Sequence, residues 1–365
     1  MKHNTLIDFL INPKVVCHWE EITWQQLLQH AYTTNLTARV YCFLEENKLF
    51  QHVPKHLKWH FSSANKVFVA HKKDVLIEAE NITHALTMAK ISPVFLKGAA
   101  YLLSKDPCCK GRLFSDVDIF VNKAELAATE QVLRWQGWVG EELDNHDEKY
   151  YRDWMHEIPP MRNTKTNMTI DIHHNLLPLV SRIKLDSEQL SSGVIECNGY
   201  KLLSLPDRIL HSSAHLLLDG EFKHGFRDLH DIYLLIATGI KENKSFLSIL
   251  LARSQELKIT LILYYCLNLL IQIFKMNIDE DVLQQCQREI STPKSISKFI
   301  LKLYITVLSP CEILEKNTKY KSALFLLFVR SHWLKMPIHI LIPHLLYKAL
   351  VTPYLERQKQ KQLAE

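Results

Sequence analysis

The sequence predicts a predominantly helical α+β protein, with one small mixed β-sheet flanked by helical regions on both sides. Three observations lead to that class. Only 9 glycines and 13 prolines punctuate 365 residues, so long stretches run without a break. Leucine recurs at helical spacing through most of the chain, whereas period-two alternation is confined to short runs around 94–121 and 168–174. A chain of this length exceeds one small core, and its texture suggests three parts: an N-terminal helical region at 1–92, a sheet-bearing core at 93–205 and a C-terminal helical domain at 206–365.

Residues 18–90 read as amphipathic helices. Trp24, Leu27, Leu28, Ala31 and Tyr32 fall at helical spacing, as do Val40, Phe43 and Leu44. Pro54 interrupts the pattern before a long helical run over about 57–90. The texture changes at Pro93. Val94, Phe95 and Leu96 make a short apolar strand, Lys97-Gly98 a tight turn, and the following alanines and leucines a helix. Glycine belongs where backbone must come close to something, and a helix N-terminus beside a lysine suits phosphate.

Next comes Gly111-Arg112-Leu113-Phe114-Ser115-Asp116-Val117-Asp118-Ile119-Phe120-Val121. On a strand, Asp116 and Asp118 project from one face while Val117, Ile119 and Val121 project from the other. Like charges this close repel and raise each other's pKa unless a cation sits between them. A bare D-x-D is most often a solvated strand end, so the neighbours decide its meaning. Residues 123–137 read as a helix stopped by glycine, and 141–153 as a polar loop or hairpin over the site. Residues 168–174 alternate again, placing Asp171 and His173 on one strand face.

Helices resume after Pro206: 208–218 ended by Asp219-Gly220, 228–236, leucine-rich helices over 246–274, and more to about 307. A basic, aromatic segment over 319–354 is divided by Pro337, Pro343 and Pro353, its leucines expected to pack on the helical core, and the tail 356–365 reads as frayed. No internal repeat or low-complexity stretch interrupts this order.

Composition narrows function only weakly. The charge of +5 comes from 44 bases set among 39 acids, so nucleotide phosphates, RNA or an anionic membrane surface all fit. Eight scattered cysteines without a C-x-x-C pair, and no secretory leader, suggest reduced thiols and a cytoplasmic location. The longest apolar run near the C-terminus, 323–329, falls far short of the roughly 20 residues of a membrane span. Neither stable nucleic-acid binding nor a transmembrane segment is expected, which leaves peripheral membrane contact through the basic C-terminal helices as an option.

Lys97-Gly98, the run Arg112 to Asp118, and Asp171 now stand in chain order. Carboxylates converging from adjacent strands can hold divalent ions, and phosphoryl or nucleotidyl transfer needs acids, a lysine and an arginine for positioning and charge neutralisation. The runs Phe95-Leu96-Lys97-Gly98-Ala99-Ala100, Arg112-x-x-Ser115-Asp116-x-Asp118-Ile119 and Ile170-Asp171-Ile172-His173 resemble an uncharacterised bacterial nucleotidyltransferase family, a branch of the DNA polymerase β-like superfamily. The resemblance extends over about 18–355, including a terminal Thr352-Pro353.

That resemblance implies a nucleotidyltransferase core in which Asp116, Asp118 and Asp171 are catalytic and bind Mg2+ or Mn2+. It implies that Lys97, Gly98, Arg112 and Ser115 bind an NTP, ATP first among them, for transfer to an acceptor that could be a small molecule, a protein or an RNA. The family's third acid is often glutamate where this chain has Asp171, and the wider superfamily has Gly-Ser where this chain has Lys97-Gly98.

Other residues keep two readings open. His173 could orient Asp171 or a substrate, or be structural. Arg227 and Asp228 could close over the nucleotide, although the acids at 228 and 231 are also placed to cap a helix. His211 and His215 share a helix face, with helix packing the favoured role. Together with His230 and Asp231 they define an alternative, a metal-dependent phosphohydrolase, for which all four side chains must meet. A further alternative is a non-catalytic nucleotide-binding module.

Overall fold

A computed structural model describes residues 4–140, 144–183, 189–190, 192–310, 317–354 and 357. The N-terminal helices are α1 (Thr5–Ile11), α2 (Glu21–Thr33), α3 (Thr37–Glu46) and the long α4 (Lys58–Met88). Along α4 the buried Phe61, Phe68, Val75, Ala79, Ile82 and Leu86 recur every three, four or seven residues, giving one apolar stripe. Tyr32, expected on the buried stripe of α2, is instead 76% exposed.

Seven strands form one mixed sheet: β1 (Val94–Phe95), β2 (Asp116–Phe120), β3 (Trp138–Gly140), β4 (Met161–Asn163), β5 (Thr169–His173), β6 (Val194–Cys197) and β7 (Tyr200–Leu203). Their order is β3-β4-β5-β2-β1-β7-β6, with β2 parallel to β5 and antiparallel to β1. Helices α5 (Lys97–Leu103), α6 (Leu126–Trp135) and α7 (Asn145–Lys149) lie between the strands in sequence.

The two sheet faces feed different cores. Val117, Ile119, Val121, Ile170 and Ile172 pack with Phe68, Val75, Ile82 and Leu86 of α4. Each such aliphatic side chain contributes roughly 1.5–3 kcal/mol on burial. Phe120, Val94 and Leu96 join a second cluster, shared with the N-terminal helices and the C-terminal ones. Period two thus places Asp116 and Asp118 on the face opposite α4.

The C-terminal helices are α8 (Leu205–Asp219), α9 (Gly225–Glu242), α10 (Phe246–Glu256), α11 (Thr260–Phe274), α12 (Glu280–Glu289), α13 (Lys294–Leu308), α14 (Thr318–Lys335) and α15 (Ile338–Leu346). Gly220 ends α8 in the left-handed conformation, at φ 88°. The fold is the predominantly helical α+β class that the sequence predicts.

Several local expectations are corrected. The polar stretch 144–154 is α7 running into a π-helical turn, Tyr150–Trp154, started by the Asp144 carboxylate accepting from the Asp147 N–H. Residues 141–143 lie outside the described residues, as do 356 and 358–365 of the polar tail. Pro343 lies inside α15 rather than limiting it; lacking an N–H, it forgoes one bond to His339, and a π-helical turn, Tyr347–Val351, follows. In α14 only Ala323, Leu327 and Ser331 are buried, so Phe325, Leu326 and Phe328 do not pack on the helical core. Among the described residues no single helix is long and apolar enough to cross a membrane, though α14 and the helical run after it pass that test as a pair bent by 117°.

Candidate active site

The sheet register sets the geometry of the acids. In the parallel pair β2–β5, Asp118 stands directly opposite Asp171, and Asp116 opposite Thr169. All three aspartates line one cavity of about 240 Å³, together with Lys97, Arg112 and Ser115. From the helical half, Arg227 and Asp228 complete the same cavity.

Asp118 is buried and heavily partnered. The Lys97 ammonium donates to its Oδ1 at 2.7 Å, and His173 Nε2 lies 3.1 Å from the same oxygen. Burial alone would raise its pKa, but Lys97 and His173 hold the carboxyl well below the usual carboxylate range. Conversely, burial would lower the Lys97 pKa, and Asp118, Glu157 and Asp116 outweigh it and raise it.

Asp171 has the opposite environment. Burial, then the charges of Asp118, Asp116 and Glu157, push its pKa up to about 8. Its Oδ1 is buried without a hydrogen-bond partner among the described residues. An orphaned carboxylate oxygen beside two further acids is what a divalent cation would satisfy, so these residues fit such an ion. Asp116 is raised as well, by burial and Asp118, with Lys97, Arg112 and Ser115 pulling the other way.

Gly98 has a definite reason. A Cβ there would stand 2.5 Å from Arg112 Nη1 and 3.2 Å from a Phe114 ring carbon. The close approach is therefore to the Arg112 guanidinium. The unusual backbone belongs to Lys97, at φ 43°, a region side-chain-bearing residues rarely adopt. Gly111, at φ 63°, has no room for a Cβ either, since one would meet the Arg39 backbone at 2.3 Å.

Arg112 is buried beside the rings of Tyr101 and Phe114, each centred 5.7 Å from its guanidinium carbon. Its Nε donates to Asp231 Oδ2 at 2.8 Å, and its Nη2 is 3.6 Å from Asp228. Asp231 also holds Arg39 at 2.7 Å on its other oxygen. Asp228 accepts from Arg227 at 2.8 Å. Asp228 stands in the first turn of α9, as the charge reading expects, but neither acid makes a side-chain cap bond, the N-cap being His224. Both are committed to arginines instead.

The four side chains of the phosphohydrolase alternative do not assemble. His230 Nδ1 is 3.0 Å from Arg39, Asp231 is taken by two arginines, and His211 stands edge-on to His173, 6.3 Å between ring centroids. Among the described residues, the set of three candidate ligands whose atoms lie within 4.8 Å of one another is His156, Glu157 and His173. His173 serves Asp118 rather than Asp171, because its Nε2 reaches across to β2.

Sequence reasoning did not single out Arg39, Glu157, Lys223 or His224. Glu157 and Lys223 both line the cavity. Glu157 reaches it through one isolated bridge to His173, too short for any periodic signal. Lys223 sits in the loop after Gly220, exposed and without an ion-pair partner among the described residues. His224 also borders a larger, mostly apolar cavity of about 990 Å³ that includes Tyr32 and Trp59.

A family model described as "Uncharacterised nucleotidyltransferase" matches residues 20–275. The match takes in every aspartate, lysine and arginine of the cavity and stops short of the region from α12 onward, which the motif resemblance had included. No curated protein gives a match to the chain.

Proposed function

Because the chain belongs to this uncharacterised nucleotidyltransferase family, we propose that it transfers a nucleoside monophosphate from an NTP to an acceptor, using a divalent cation such as Mg2+. The observation that carries this reading is the buried, unpartnered Asp171 carboxylate oxygen in register beside Asp118. Asp116, Asp118 and Asp171 would hold the cation. When bound, it supplies charge neutralisation at the phosphates and at the departing pyrophosphate.

The chain's own cations divide the remaining work. Lys97 balances Asp118 and stands at the cavity wall, where it can turn toward a phosphate oxygen once a cation takes over that carboxylate. Arg112, committed to Asp231 and packed on Gly98, is a positioning residue that fixes the Lys97-Gly98 turn. Lys223 and Arg227 face the cavity from the helical half and are suited to the outer phosphates. The apolar cavity sharing His224 offers the acceptor an adjoining surface.

The test is to incubate the purified chain with each radiolabelled NTP, Mg2+ or Mn2+ and a cell extract, and to follow the label. Metal-dependent labelling that disappears in the Asp116→Ala/Asp118→Ala double variant supports the proposal. Labelling that persists unchanged in that variant overturns it.

A further inference from the structure

We propose that His156, Glu157 and His173 form a second cation site, built for a nitrogen-preferring transition metal such as Zn2+ and held in orientation by Asp118. One ligand atom of each residue lies within 4.8 Å of the other two. Glu157 Oε2 is 3.3 Å from His173 Nδ1 and 3.8 Å from His156 Nε2.

Two further observations point to a ligand. The His173 side chain is fully buried, and its Nδ1 makes no hydrogen bond among the described residues although Glu157 Oε2 lies 3.3 Å away. Its opposite nitrogen lies 3.1 Å from Asp118 Oδ1, which gives the carboxylate–imidazole order that fixes the tautomer of a metal-binding histidine. The ligands are also held in place by the backbone. Ile158 N donates to Ile172 O at 3.1 Å and His174 N to His156 O at 2.8 Å, so the segment carrying His156 and Glu157 is stitched to the end of β5.

The donor set separates this site from the aspartate site. Three carboxylates offer only oxygen, which suits Mg2+, whereas two imidazoles and one carboxylate suit Zn2+ or Co2+ and leave a coordination position free. Glu157 is itself a wall of the cavity, so a metal here would border the proposed active site without depending on nucleotide. The competing explanation is a protonated His173 bridging Asp118 and Glu157 with no metal.

The full chain, stripped with a chelator, is titrated with Co2+ in the absence of nucleotide while the visible d–d absorption is followed. We expect saturation at one equivalent, displacement by one equivalent of Zn2+, and no displacement by excess Mg2+. His156→Gln and Glu157→Gln should each abolish the absorption, Asp118→Asn should weaken binding about 10- to 100-fold, and Asp116→Ala should leave it intact. Absence of the absorption in the unaltered chain overturns the proposal, as does displacement by Mg2+, survival in both glutamine variants, or loss in Asp116→Ala. The unaltered chain alone can decide the matter if a variant fails to fold. Because no turnover is measured, failure here leaves the nucleotidyltransferase reading standing.

Discussion

Arg112 Nε donates to Asp231 Oδ2 at 2.8 Å, joining residues 119 positions apart and linking the turn before the acidic strand to helix α9. Both groups are buried, and Asp231 holds Arg39 as well. Asp231→Asn would leave the Arg39 guanidinium without its ion-pair partner and Arg112 with only Asp228, 3.6 Å away. Removing one partner of a buried pair typically costs about 3–5 kcal/mol, so urea unfolding should show a loss of that size. A loss below about 1 kcal/mol, the range of exposed pairs, would contradict the assignment.

Gly98→Ala tests the other side of Arg112. The added methyl would stand 2.5 Å from Nη1, and the guanidinium is held by Asp231 and Asp228, so it can yield little. Overpacking of this kind costs about 1–3 kcal/mol. Nucleotide affinity should fall with stability, as measured by calorimetry with a non-hydrolysable NTP and Mg2+. An alanine variant with unaltered affinity would show that the turn needs no such space.

Asp171 should trade stability against metal binding. Its folded pKa is raised to about 8 from an ordinary value of 3.8, so the folded chain keeps a proton that the unfolded chain releases. This contribution to metal-free stability is fully present below 3.8 and is lost as pH rises toward 8. Asp171→Asn should therefore raise the melting temperature of chelator-treated protein at pH 8, by the equivalent of ~1 kcal/mol or more. The unaltered chain should melt higher when Mg2+ is added, and the same substitution should remove that gain. A variant that melts lower without metal would refute the repulsion argument.

Four buried histidines and the half-buried His215 make the opposite prediction in acid. Burial first, and neighbouring cations second, lower the pKa values of His156, His211, His215 and His230 well below 6.5; burial likewise lowers His174, to about 4. Unfolding releases them to take up protons below pH 6.5, so stability falls as pH drops, by up to about 1.4 kcal/mol per unit for each group. Asp171 opposes this trend, as do the raised carboxyls of Asp116 and Asp106, while the likewise lowered His224 and His344 add to it. The urea midpoint should be markedly lower at pH 5.5 than at 7.5, and His230→Gln should flatten the slope. Equal midpoints would contradict the lowered pKa values of these imidazoles.

Lys223→Ala addresses a residue outside every motif. An exposed cation on the cavity wall can contribute to binding ground and transition states alike, which raises KM and leaves kcat in place. Steady-state kinetics should show KM for the NTP severalfold higher. A fall in kcat at constant KM would place Lys223 in the chemistry instead.

The parts legible in the sequence were those with a period or a steric rule. Asp116 and Asp118 alternate with Val117 and Ile119 on β2, and Asp171 alternates with Ile170 and Ile172 on β5, so their common face could be read before any fold was known. Gly220 marked the end of α8 for the same kind of reason. Strands β3 and β4, three residues each, are too short to carry a period, and the edge hairpin β6–β7 exposes Ile195 and half-buries Val194, which blurs its alternation. Arg39 was hidden because helical spacing marks which positions are buried only when they are apolar. Its partners, at 110 and 231, are supplied by distant segments.

The shared core has a consequence for how the chain can be divided. One apolar cluster draws Leu6 and Phe61 from the N-terminal helices, Val94 and Leu203 from the sheet region, and Leu229 and Leu327 from the C-terminal helices. Arg39, Arg112 and Asp231 repeat that three-part composition in charge. A fragment ending near residue 205 would expose the apolar faces of the first two parts and strand two guanidiniums. The acidic strand is thus not portable: it cannot be excised with its sheet and expected to fold alone.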